Sequence, residues 1–128
     1  MPPKTIATNV MVAWNNSTEQ ARATAFAMPL LRKAERVRVL SMTGTSVPGP
    51  TADLLMAYLE RNGIKATMSV IPSSERASGE AMLALAKEEG CDLLVKGAYT
   101  QSRLRQMIFG GATSHILANA EIPVLMAH

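Results

Sequence analysis

The chain has 128 residues, 48% of them apolar and 18% charged, with a formal net charge of +3. That length suits one domain, the apolar share excludes an intrinsically disordered chain, and the absence of any block of five or six like charges argues against nucleic acid as a partner. A single cysteine, Cys91, excludes an intramolecular disulfide and abuts an apolar run, where a small buried thiol is common. The opening MPPKTIAT lacks the charged stretch followed by an apolar run that marks a leader, and no window approaches ~18 consecutive apolar residues. The expectation is a cytoplasmic protein without a membrane segment, one domain over 1–128 with residues 1–7 loosely ordered.

In chain order, the first strand is expected at Asn9–Trp14, NVMVAW, almost wholly apolar as a strand covered on both faces should be. A helix follows, opened by Ser17 with Gln20 three residues on as a capping box, and running to about Lys33; Pro29 inside it is expected to kink or divide it. The second strand is RVRVLSM, Arg36–Met42, and the cluster TGTSVPGP, 43–50, reads as a loop within the domain.

The second helix takes Pro50 as a first-turn residue and Gly63 as a left-handed cap, with Leu54, Leu55, Tyr58 and Leu59 on one face. The third strand, Ile64–Ile71, alternates Ile64, Ala66, Met68 and Val70 against Lys65, Thr67 and Ser69, which places it toward an edge. ASGEAMLALAKEEG is the third helix, with Met82, Leu83, Leu85 and Ala86 toward the sheet and Gly90 past its end. The fourth strand is DLLVKG, a last helix spans about Ala112–Ala120, and Pro123–Ala127 is the final strand. Strands alternating with helices imply an α/β fold: an open, five-stranded parallel sheet with helices over both faces.

Ligands of such sheets bind at the carboxyl ends of the strands, where the winding reverses. Here that crevice lies between the ends of strands one and four, with Trp14, Asn15 and Asn16 on one side and Lys96, Gly97 and the loop KGAYTQSRLRQMIFGGAT on the other. Gly110 and Gly111 precede a helix N-terminus, where free N–H groups and the helix dipole favour an anion, though most glycine turns of this kind bind nothing. Trp14 is either a core or rim aromatic or a wall of a base pocket, and Lys96, inside a buried run, must snorkel out or find an anion. Arg103 and Arg105 read as solvated, His115 as locally packed, and the nine methionines as core filler. No second ligand stands at metal spacing from His115, and no Gly-x-Ser-x-Gly elbow or base for Cys91 supports nucleophilic catalysis.

WNNS after the first strand, then GAYT, GGAT and a terminal PVLMAH in order, resemble the universal stress protein family over roughly residues 7–127, most specifically in LLVKGAYTQSRLRQMIFGGATSHIL. The resemblance implies a Rossmann-like fold of the adenine nucleotide alpha hydrolase kind with strand order 3-2-1-4-5. It also implies a homodimer, expected here through Pro123–Ala127, and binding of ATP or AMP by a Gly-x2-Gly-x9-Gly-Ser/Thr motif, with magnesium only alongside ATP. Carried over, the first and third glycines are Gly97 and Gly110; the second is Thr100, and the Ser/Thr is Gly111. A Thr forced to positive φ would be strained by about 1–3 kcal/mol, so the loop has reason to take another path.

By the same resemblance, the N–H groups of Gly97, Thr100, Gly110, Gly111, Ala112 and Thr113 would hold phosphates. Ala13, Trp14, Asn15, Met42 and Lys96 would lie near the base or sugar, with Asn15 standing where nucleotide-binding members usually carry Asp. No Walker-type lysine or carboxylate pair is present to hold magnesium and activate water, so hydrolysis is expected to be slow and the role regulatory. The rival expectation is a dimeric interaction module that has lost nucleotide binding, its best support being Thr100. An enzyme acting on a nucleotide-like substrate lacks catalytic groups. The ending and loop also resemble the C-terminal half of tandem two-domain members.

Overall fold

The computed structural model describes residues 7–14, 16, 18–42, 49–71, 75–97, 116 and 119–127. Its elements, in order, are β1 (Asn9–Trp14), α1 (Thr18–Lys33), β2 (Arg36–Met42), α2 (Ala52–Arg61), β3 (Ala66–Ile71), α3 (Glu75–Glu88), β4 (Leu93–Gly97) and β5 (Val124–Ala127). The five strands form one parallel sheet of order β3-β2-β1-β4-β5, as expected.

Side-chain alternation divides the apolar residues between two cores. Val10, Val12 and Trp14 of β1, with Val37, Val39, Leu93 and Val95, pack under Ala23, Ala27 and Leu31 of α1 and Leu55 and Leu59 of α2. Met11 and Ala13, with Leu40 and Leu94, pack on the other face against Met82 and Ala86 of α3 and against Ile116. β1 and β4 lie inside the sheet with helices over both faces, which is why their sequences are nearly unbroken apolar runs. The amino ends of these two strands are tied together. The Asp92 carboxylate accepts the backbone N–H groups of Thr8 and Asn9, each at 2.9 Å, and the Asn9 amide donates to the Glu89 carbonyl at 2.8 Å.

Several sequence expectations need correction. α1 runs undivided through Pro29. The proline and Ala25, whose carbonyl loses its donor, both lie on the exposed side, so water can take the place of the missing bond. Ile64 belongs to the closing turn of α2 and not to β3: its N–H donates to the Leu59 carbonyl at 2.9 Å, just after Gly63 at φ +76. On α2 the buried stripe is Ala52, Leu55 and Leu59, while Leu54 is 60% exposed and Tyr58 is also exposed. Spacings of three and four keep the first set on one face, and Leu54 and Tyr58 turn toward α1. The sheet-facing residues expected on α3 hold, with Met82 and Ala86 buried and Leu83 and Leu85 packed partly buried against the same core. The expected last helix lies largely outside the described residues; within them, Ile116 is buried and its carbonyl accepts the Ala120 N–H at 2.9 Å.

Candidate functional site

At the carboxyl end of the sheet, the last residues of β1 and β4 are Trp14 and Gly97. Beyond Trp14, Asn16 takes φ +69, a left-handed conformation that Asn tolerates better than most residues. The chain then enters α1, whose first turn carries Glu19 and Gln20.

Gly97 meets that turn directly. A Cβ built on it would stand 2.6 Å from the Gln20 backbone nitrogen and 2.7 Å from the Glu19 carbonyl carbon. The glycine is therefore required by the approach of α1 to β4, whatever else the site holds. A second close approach closes the same rim, because a Cβ on Gly49, at φ +154, would fall 2.0 Å from the Asn16 carbonyl oxygen. Glu19, Gln20 and Gly49 are site-forming residues that the motif reading missed. The signal was present in the Ser17/Gln20 helix start and in the glycine ahead of Pro50.

Trp14 and Lys96 fall on opposite faces of the sheet. Trp14 lies in the core under α1 and α2, and its indole Nε1–H donates to the Pro50 carbonyl at 2.9 Å, pinning the start of α2 over the end of β1. It lines a cavity of about 240 Å³ with Ala21, Ala25, Leu54 and Tyr58. Lys96 sits in the pairing Lys96↔Met126, one residue past Val12↔Val95, so Ala13 flanks it on the α3 side.

Lys96 does not snorkel. It is 3% exposed, its ammonium donates to the Gly97 carbonyl at 2.7 Å, and burial lowers its pKa from 10.5 to about 8. A group with that pKa is still mostly charged at neutral pH, so the end of β4 carries a buried cation next to the crevice. Cys91 is buried as expected, its pKa raised chiefly by loss of hydration.

The structure thus places Ala13, Trp14, Lys96 and Gly97 at the ends of adjacent strands and brings the backbone of Met42 to the end of β2. Asn15, Thr100, Gly110, Gly111, Ala112 and Thr113 lie outside the described residues, as do Arg103, Arg105 and His115. No helix among the described residues is long and apolar enough to cross a membrane.

The sequence matches the model of the universal stress protein family over residues 7–128. The chain belongs to the universal stress protein family. No curated protein sequence matches it. Among solved structures, it is similar to a universal stress protein from Archaeoglobus fulgidus at 18% identity and a TM-score of 0.74, covering 95% of this chain and 44% of that one. The chain thus spans less than half the length of that relative. A universal stress protein solved in complex with cAMP matches at 19% identity and a TM-score of 0.71, covering 94% of this chain and 96% of that one. Protein Rv1636 from Mycobacterium tuberculosis matches at 26% identity and a TM-score of 0.55, covering 94% of each chain. The strand order puts the switch point of this parallel α/β sheet between β1 and β4.

Proposed function

We propose that this universal stress protein is a cytoplasmic stress-response regulator that binds an adenine nucleotide, AMP or ATP, at the carboxyl ends of β1 and β4, and is not a rapid catalyst. The observation that carries the reading is Lys96, a cation buried at the end of β4 beside the switch point where open α/β sheets take their ligands. The complex of a structural relative with cAMP supports the same ligand class. An ammonium at this position suits an anionic ligand, and it stands one residue before the loop whose N–H groups, from Gly97 to Thr113, would hold phosphates. Asn15 and the backbone near Met42 would meet the base or sugar. Bound magnesium, arriving with ATP, would supply charge neutralisation of the phosphates.

A second reading is favoured by Gly97. Its open side is filled by the backbone of α1, so one of the two glycines that keep the family frame is explained by packing alone. With Thr100 and Gly111 also departing from the pattern, the chain would then act as a dimeric interaction module without nucleotide. Both readings include self-association through β5. This edge strand is only half-buried, and beside it α1 leaves Phe26 71% exposed and Leu30 at its exposed rim. Such an apolar edge calls for cover.

Calorimetric titration with AMP, ATP and cAMP tests the choice. Nucleotide binding predicts a saturable heat that Gly110→Val abolishes and Thr100→Gly strengthens. No heat and no thermal shift at millimolar nucleotide would leave the interaction module standing, and a monomer by gel filtration at micromolar protein would refute dimerisation.

A further inference from the structure

β3 forms the outer edge of the sheet, paired to β2 alone. Its six residues, ATMSVI, contain no charge and no proline, the devices by which natural edge strands discourage pairing. Among the described residues nothing else bonds its outward backbone.

The two faces of this edge differ sharply. On the α2 side, Met68 and Val70 are 39% and 55% exposed, although α2 also touches β3 and Ala66 packs partly buried against the core beneath it. On the α3 side, Arg36 and Arg38 of β2 share a face with Lys65, Thr67 and Ser69, and a cavity of about 330 Å³ opens among Asn9, Glu35, Arg36, Arg38, Lys65, Thr67 and Glu89. Arg38 reaches across from β2, donating to Ser69 Oγ at 3.0 Å and pairing with Glu89 at 2.8 Å. Arg36 and Lys65 have no ion-pair partner among the described residues. The guanidinium and ammonium groups of β2 and Lys65 thus stand within reach of whatever lies along β3.

We propose that β3 is a docking edge for an extended peptide segment of a partner protein, one whose side chains alternate acidic and apolar. The segment would extend the sheet through the open N–H and C=O groups of β3. Its acidic side chains would meet Arg36 and Lys65 on one face, and its apolar ones Met68 and Val70 on the other. Charge complementarity selects this occupant over a second copy of the chain, since β3 brings no carboxylate to a self-pairing.

The test is a fluorescence-anisotropy titration of the full-length protein with a labelled decapeptide of alternating glutamate and valine. Saturable binding is expected, weakened about tenfold between roughly 0.05 and 0.5 M salt, while a lysine–valine decapeptide fails to bind. Arg36→Glu combined with Lys65→Glu, both at exposed positions, is expected to cost at least about tenfold in affinity. Val70→Lys is expected to cost as much while the thermal midpoint holds. NMR amide exchange should show new protection in 66–71. No binding of the acidic peptide, equal binding of both peptides, indifference to the charge reversals, or protection at Val124–Ala127 instead would each overturn the proposal. So would loss of self-association in Val70→Lys, which would make the occupant a second copy.

Discussion

Gly97→Ala separates a packing role from a ligand role at the same residue. The added methyl would meet the backbone of Glu19 and Gln20 at 2.7 and 2.6 Å, so α1 must retreat by about 0.8 Å at its first turn to regain ordinary contact at 3.4 Å. The obstacle is helix backbone in a turn that also carries buried Gln20, with no flexible side-chain tip to swing aside. Overpacking of this kind costs about 1–3 kcal/mol, and at about 4 °C per kcal/mol for a domain of this size the melting temperature should fall by roughly 4–12 °C. Urea unfolding followed by the fluorescence of Trp14, the only tryptophan, reads the change as a lower midpoint with unchanged slope. Stability within about 0.3 kcal/mol of wild type would refute the packing account of Gly97. If nucleotide affinity were lost at unchanged stability, the glycine would belong to the phosphate loop alone.

Three further outcomes are expected. Leu59→Ala should cost about 2–5 kcal/mol because Leu59 is fully buried, whereas Leu54→Ala, on the exposed side of α2, should stay within about 0.5 kcal/mol; paired urea titrations check both. Lys96 has a folded pKa lowered to about 8, so the unfolded chain binds more protons between that value and 10.5, and stability should rise with pH across the window by about 3 kcal/mol at most. Lys96→Met should remove that rise, and a difference curve against wild type that stays flat from pH 8 to 10.5 would contradict the burial of the charge. Cys91, buried and with its pKa raised, should react with a thiol reagent at neutral pH only as fast as the protein opens, a rate measurable against the same reagent in urea.

The fold was legible because its determinants are local and repeated. NVMVAW and LLVKG are apolar throughout since both faces of β1 and β4 are covered, and Gly63 and Gly90 stand at positive φ where helices end. Boundaries failed where tertiary contact decides them. Ile64 looks like the first residue of an alternating strand, yet the carbonyl of Leu59 claims its N–H. Met68 and Val70 alternate as if one face were buried, but α2, although it touches β3, leaves both of them exposed. Leu54 and Tyr58 share apolar character with Leu55 and Leu59; only the placement of α2 relative to α1 tells the two pairs apart.

The site was harder to read because a glycine answers two physical demands with the same letter. Phosphate approach requires a backbone without Cβ, and so does a helix packed onto a strand end. At Gly97 the second demand is met by Glu19 and Gln20, residues some 80 positions away in sequence that no motif spacing includes. Lys96 carries the converse lesson. An ammonium in an apolar run reads as a side chain that escapes to water, and at an outer strand it could. β4 lies between β1 and β5, under cover on both faces, so escape is closed and the charge is held at the Gly97 carbonyl with a depressed pKa. A buried cation at the end of β4 places a positive charge beside the switch point where open α/β sheets take their ligands, and that placement makes it the first position to probe with an anionic ligand.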